Sequence, residues 1–197
     1  MTPSMALTNI PWHSSHAYKS ALLKYKHMNG FVSMVRDRDS GVVYPDPVTG
    51  TPRLAYTVSE FDRGHAWEGL CELAKVVFKS GAKEVHLGVD GVTPFVRRGD
   101  GEDEEEAFRT WLSDLRSKSP HPRYSLPFAT AHQMGTCRMG TSPRSSVVDP
   151  HGKVWGVEGL HVCDASVFPS ASGVNPMVTN MAIAEWISRG VVREIER

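Results

Sequence analysis

The sequence predicts an α+β chain: an antiparallel-sheet domain with flanking helices, followed by the C-terminal strand–helix piece of an α/β domain. Three observations carry this expectation. Residues 31–58 alternate short β-like runs with turns rich in Gly, Pro and Asp. Two later stretches place apolar residues at helical spacing. Residues 131–180 are dense in Gly, Ser, Asn, Met and Pro, a texture that suits close backbone approaches, and they lead into a long amphipathic stripe.

In chain order, Met1–Trp12 lacks a charged start followed by an apolar block, so no signal peptide is expected. Ala17–Lys26 predicts a short helix carrying Leu22, Leu23 and Tyr25, with Lys19, Lys24 and Lys26 on a solvated face. Phe31–Arg36, Val42–Tyr44 and Leu54–Val58 predict a three-stranded meander, broken by turns at Asp37–Gly41 and Asp46–Pro52. Ser59 stands three residues before Asp62, a variant of the capping box, and opens a helix with Leu70, Leu73, Ala74, Val77 and Phe78 on one stripe. Gly81 closes it, because the residue after a helix needs the left-handed backbone that glycine adopts freely. Val85 and Leu87 mark a further short strand. The acidic run Asp100–Glu106 reads as the start of a helix, whose N-terminus favours carboxylates, rather than as a metal or partner site. Phe108, Trp111, Leu112 and Leu115 continue that helix, and Pro120-His121-Pro122 ends it. Leu160–Cys163 predicts a strand running into Asp164. Met177, Met181, Ala184, Ile187, Val191 and Ile195 form the final helical stripe.

A chain of 197 residues makes one ordinary domain, or most of one and part of another. The 22 basic and 22 acidic residues cancel, which disfavours a polybasic nucleic-acid or membrane-surface binder. No apolar run approaches the roughly 20 residues of a membrane span. Cys71, Cys137 and Cys163 are odd in number and contain no CxxC pair, so they build no disulfide framework and suit an intracellular, reducing compartment. The ending Arg193–Arg197 carries no peroxisomal tripeptide.

Chemistry concentrates near the C-terminus. Asn175 is a good N-cap residue and Pro176 fits the first helical position. The helix they open presents backbone donors that stabilise negative charge, although these residues alone favour an ordinary capped helix. His132 lies near two glycines and Cys137, and three readings compete: a structural histidine, a Cys137/His132 nucleophilic pair, or a metal site with His161 and Cys163. The last matches no usual zinc spacing, and the pair lacks an orienting partner.

Together, His132-Gln133-Met134-Gly135-Thr136-Cys137-Arg138-Met139-Gly140, Val147-Val148-Asp149, the run from Val154 to Pro169 and Ser172-Gly173-Val174-Asn175-Pro176-Met177 resemble the C-terminal signature of the glucose–methanol–choline (GMC) oxidoreductases. Leu23–His27, Val35–Gly41, Pro52–Tyr56 and Gly81–Val85 resemble the substrate domain of its long-chain (fatty) alcohol oxidase branch.

The resemblance implies an FAD-dependent enzyme that oxidises primary long-chain alcohols to aldehydes and reduces O2 to H2O2. His132 falls on the active-site base, and Asn175 on the second active-site position. Asp164 and Ala165 fall where a strand end approaches the FAD pyrophosphate and ribityl chain. Asn175, Pro176 and Met177 fall where a helix start meets the flavin pyrimidine edge. No metal is implied. Residues 1–130 then correspond to part of the substrate domain, and residues 131–197 to the active-site segment and the end of the FAD-binding domain. The family's G-x-G-x-x-G fingerprint is absent, and Gly88-Val89-Asp90-Gly91 does not supply it. The expectation is therefore a C-terminal portion whose N-terminal FAD-binding half is missing. Membrane association would come from an upstream segment, and a peroxisomal location is a further expectation of the resemblance. The rival expectations are a catalytically silent truncated fragment, a module that works beside a separate FAD-binding chain, and a thiol or metal protein.

Overall fold

The computed structural model describes residues 10–99, 101–118 and 128–196. Its elements are α1 (Ser15–Leu23), β1 (Val42–Pro45), β2 (Pro52–Ala55), α2 (Glu60–Lys79), β3 (Glu84–Val85), β4 (Phe95–Val96), α3 (Glu102–Ser117) and α4 (Met177–Ile195). Single 3-10 turns lie at Tyr25–His27 and Ala165–Val167. The expected α+β class stands: helices combine with two small antiparallel sheets. The chain divides into two compact units, residues 1–35 with 60–129, and residues 36–59 with 130–197.

The first unit is built on α2 and α3. Trp67, Cys71, Ala74 and Phe78 recur every three or four residues along α2 and are buried, as are Phe108, Leu112 and Leu115 on α3. The buried stripe of α2 is turned from the expected one: Trp67 and Cys71 are its centre, and Leu70 and Val77 flank it. Phe78 stacks on Phe108 at 4.0 Å between ring centroids, and Phe95 meets both rings edge-on. The indole of Trp67 donates to the carbonyl of Leu115 at 3.2 Å, so its buried N–H is satisfied. Gly81, at φ +89°, ends α2 as expected: its N–H donates to Phe78 O, and the next N–H, of Ala82, donates to Val77 O. The Phe95–Val96 strand was not visible in the sequence. It pairs with Glu84–Val85, burying Val85 and Phe95 in the same core. Four carboxylates sit in the first turn of α3, as expected of its acidic start. Asp100, the Pro120–Pro122 stop and residues 1–9 lie outside the described residues.

In the second unit, β1 and β2 form a hairpin with Val42 opposite Ala55 and Pro45 opposite Pro52. The expected meander is thereby corrected. Residues 31–36 form no strand, because an extended backbone is stable in a sheet only where a neighbour takes its hydrogen bonds. The hairpin turn is held by Asp46, whose carboxylate accepts from the amides of Val48 and Thr49 and from Arg53. Those bonds, led by the Thr49 amide, hold its pKa down at about 2 from an ordinary 3.8. The folded form thus favours the ionised carboxyl. Its contribution is complete above about pH 3.8 and is lost as pH falls through about 2. The amide resonances of Val48 and Thr49 are expected to titrate near pH 2; a midpoint near 4 would contradict this turn.

The second unit's core holds Val148, Val167 and Ile187, with Met139, Val154, Val162, Ile183 and Val191 against them. The C-terminal stripe is corrected here. Only Ile187 of α4 is fully buried, and Met177, Met181 and Ile195 are exposed. Ile183, Ile187 and Val191 are four residues apart, so they form the inward face. Leu160–Cys163 is not a regular strand either. A single antiparallel bridge joins His161 to Lys153, since no neighbour runs beside it long enough to propagate a ladder.

Candidate active site

The segment carrying His132 is stitched to the Asp164 turn by backbone. Gly135 takes φ +84°, and the amides of Gly135, Cys137 and Met139 donate in succession to the carbonyls of Ala165, Ser166 and Val167 at 3.2, 2.8 and 2.9 Å. A Cβ on Gly135 would stand 3.2 Å from Phe168 O, a contact tighter than most side chains tolerate. Met139 then bridges Val148, and Val148 bridges Val154. A run of short bridges therefore replaces a sheet. It fixes the Gly135–Met139 strip against the turn at Ala165–Val167 through the buried Val148 and Val167.

Asp164 ends this platform. Its carboxylate accepts from the Ser166 amide at 2.8 Å and caps the 3-10 turn. Hydrogen bonds from the Ser166 hydroxyl and amide hold its pKa below the ordinary value, so the group favours the anion. Ala165 is half-buried beside it.

The start of α4 differs from expectation. Pro176 has helical backbone angles, φ −85° and ψ −1°, and its carbonyl accepts the first helical bond, from Asn180 at 2.7 Å. No side chain caps the helix, which corrects the capping role assigned to Asn175. With that cap missing, the first-turn amides of Met177, Val178 and Thr179 have no helical acceptor. One turn in, Asn180 Oδ1 is buried without a hydrogen-bond partner among the described residues. Asn175 and His132 are both exposed. Both belong to the second unit with Asp164, Ala165, Pro176 and Met177, but no hydrogen bond joins them.

One residue that the sequence did not single out reaches this region. Arg36 donates from Nε to Ala171 O and from Nη2 to Ser170 Oγ, each at 3.0 Å. No periodicity signals a contact across such a separation.

Among the described residues no group of three or more His, Cys, Asp and Glu side chains is placed to hold a metal ion. Cys137 lies in the backbone strip, and Cys163 is exposed. Burial pushes the Cys71 thiol up to about 11, which suppresses its nucleophilic thiolate. In the native chain at pH 7, Cys163 is expected to react with a maleimide while Cys71 stays unmodified until denaturation. Early labelling of Cys71 would contradict its place in the core.

The family model described as GMC oxidoreductase, for its C-terminal part, matches residues 45–184. The chain belongs to the GMC oxidoreductase family. The matched span contains His132, Asp164, Ala165, Asn175, Pro176 and Met177. The relatives of this GMC oxidoreductase include long-chain-alcohol oxidase FAO3 of Arabidopsis thaliana, 33% identical over 94% of this chain and 24% of that protein. Long-chain-alcohol oxidase FAO4A of the same plant is 35% identical over 99% of this chain and 26% of its own length. Among solved structures, pyridoxine 4-oxidase from Mesorbium loti aligns over 79% of this chain and 28% of its own at 20% identity, with a TM-score of 0.49. The chain spans about a quarter of the length of the curated relatives it matches. Among the described residues no helix is long and apolar enough to cross a membrane.

Proposed function

We propose that the chain is the C-terminal portion of an FAD-dependent oxidase that converts primary long-chain alcohols to aldehydes. The likeness to long-chain-alcohol oxidases over nearly the whole chain carries this reading. Residues 1–130 serve as part of the substrate domain, and residues 131–197 bring the active-site segment and the end of the FAD domain.

The donor set at the start of α4 fits the cofactor. Open amides in the first turn suit the flavin N1 and O2 acceptors, and the orphaned Asn180 Oδ1 adds an acceptor. Met177 and Pro176 would hold that edge, with Asn175 beside it. Asp164 and Ala165 would approach the pyrophosphate and ribityl chain from the turn they begin. When bound, FAD supplies the hydride acceptor at N5 and passes the electrons to O2, giving H2O2.

The chain's own residues handle the proton and the substrate oxygen. His132 accepts the hydroxyl proton of the alcohol as general base. Asn175 hydrogen-bonds the same oxygen and orients it. A long-chain substrate partitions into lipid, which suits an enzyme at a membrane; an intracellular or peroxisomal place is part of the same reading.

A second reading is a module that works by associating with a separate FAD-binding chain. It is favoured by the exposed apolar side chains of Val174, Met177, Val178 and Met181 around the start of α4. Flavin absorbance tests the oxidase reading. Alone, the chain is expected to purify without flavin, because it encodes no Gly-rich pyrophosphate turn. Joined to an FAD-binding half, it is expected to bleach its flavin when a long-chain primary alcohol is added anaerobically. A flavin-loaded assembly that no such alcohol reduces would overturn the oxidase reading.

A further inference from the structure

The loop 169–175 connects the 3-10 turn at Ala165–Val167 to α4. Its internal bond runs from Ser172 Oγ to Val174 O at 2.6 Å. Among the described residues, the hydrogen bonds that tie it to anything outside itself are the two from Arg36, to Ala171 O and Ser170 Oγ. The loop also folds against the stem of that arginine. Gly173 takes φ +70°, and a Cβ there would lie 2.9 Å from Arg36 Cβ and 3.4 Å from its Cγ. The stem fills the space a side chain at position 173 would need, and the guanidinium grips Ser170 and Ala171. Next along the chain, Asp37 accepts from the hydroxyl of Tyr56, just past β2, at 3.3 Å. The backbone that carries Arg36 is thereby tied to the hairpin.

We infer that Arg36 is a positioning residue for Asn175: it sets the path of the loop that delivers Asn175 to the start of α4. This rests on the reading of Asn175 as the group that orients the substrate oxygen. A guanidinium is suited to the task, because its fixed fork serves a carbonyl and a hydroxyl together, whereas an ammonium is a point donor. Arg36 touches neither substrate nor cofactor in this role and acts through the loop.

Two measurements test it. Backbone 15N relaxation on the chain itself reads the clamp without catalysis. Arg36→Met is expected to lower the order parameters of residues 170–175 and leave those of Met139 and Val162 unchanged, and Arg36→Lys to restore part of the order. Unchanged order parameters in the loop, or a loss spread across the whole unit, would overturn the clamp. In the full-length flavoenzyme, stopped-flow reduction by alcohol reads the consequence. Arg36→Met is expected to slow it by about 10- to 100-fold, the scale of a small misplacement of a reacting group. Arg36→Lys should recover part of that rate. Adding Arg36→Met to Asn175→Ala should cost nothing further, since the residue it positions is gone; an undiminished extra loss would overturn the positioning role. If Asn175→Ala alone reduces at the wild-type rate, the orienting role of Asn175 falls and Arg36 loses its catalytic consequence. The relaxation result separates that outcome from a missing clamp.

Discussion

In the full-length flavoenzyme, His132→Ala is expected to slow flavin reduction by an alcohol by about 10²- to 10⁴-fold, the usual yield of a positioned general base. An alcohol hydroxyl is a very weak acid, so hydride cannot leave its carbon readily until the proton has somewhere to go. In the proposed site Asn175 assists at the same oxygen. Asn175→Asp keeps the size of the side chain but sets a negative charge where charge builds during reduction, so it should slow reduction more than it weakens folding. No side chain caps α4, so neither Asn175→Asp nor Asn175→Leu removes a cap bond, and their effects on stability should both be small. Two groups on one oxygen act as a unit, and the double variant should be far less impaired than the product of the single losses. Stopped-flow reduction of both singles and the double decides it. Fully multiplicative losses would assign His132 and Asn175 to separate steps and end the shared-site reading.

What could be read from the sequence was what is decided locally. Gly81 closes α2 because a left-handed residue is needed within a few residues of the last turn, and the acidic start of α3 follows from the helix dipole. Contacts between distant segments were not legible. The pattern of α2 identified a helix but placed its inward face off by part of a turn. Trp67 and Cys71 are buried by α3, and no helical period reports the direction of a neighbour. Phe31–Arg36 and Leu160–Cys163 have strand-like composition, yet strand formation is a property of pairs, and among the described residues only Val42–Pro45 and Pro52–Ala55 find each other over four residues. At the candidate site the family motif located the His132 and Asp164 segments, and the structure adds the backbone strip that joins them. Arg36 remained silent because its partners, Ser170 and Ala171, lie on a loop with no periodicity.

Gly152→Ala is expected to be the most damaging alanine substitution among the left-handed glycines of the second unit. Gly152 is buried at φ +79°, in the turn after Asp149, whose carboxylate accepts from the amides of His151 and Lys153. An added Cβ would lie 2.7 Å from Val162 O and 2.7 Å from Ile187 Cδ1. The first contact is with backbone that cannot rotate away, because the Val162 amide already donates to Gly152 O at 2.8 Å. The second is with the one fully buried side chain of α4, so relief would lift the helix that carries Met177 at its start. The left-handed backbone costs an alanine about 1–2 kcal/mol, and overpacking adds about 1–3 kcal/mol. Two control substitutions separate these contributions. Gly156 has φ +74° with open space around it, so Gly156→Ala should cost only the backbone part. Gly190 lies inside α4 with nothing near its Cβ position, so Gly190→Ala should stabilise by up to about 1 kcal/mol through helix propensity. Urea denaturation of the three variants should rank them Gly190→Ala, Gly156→Ala, Gly152→Ala from most to least stable. Equal losses at positions 152 and 156 would mean that the contact with Val162 and Ile187 is not there. The seat of α4, and the place it gives Met177, would then have to be redrawn.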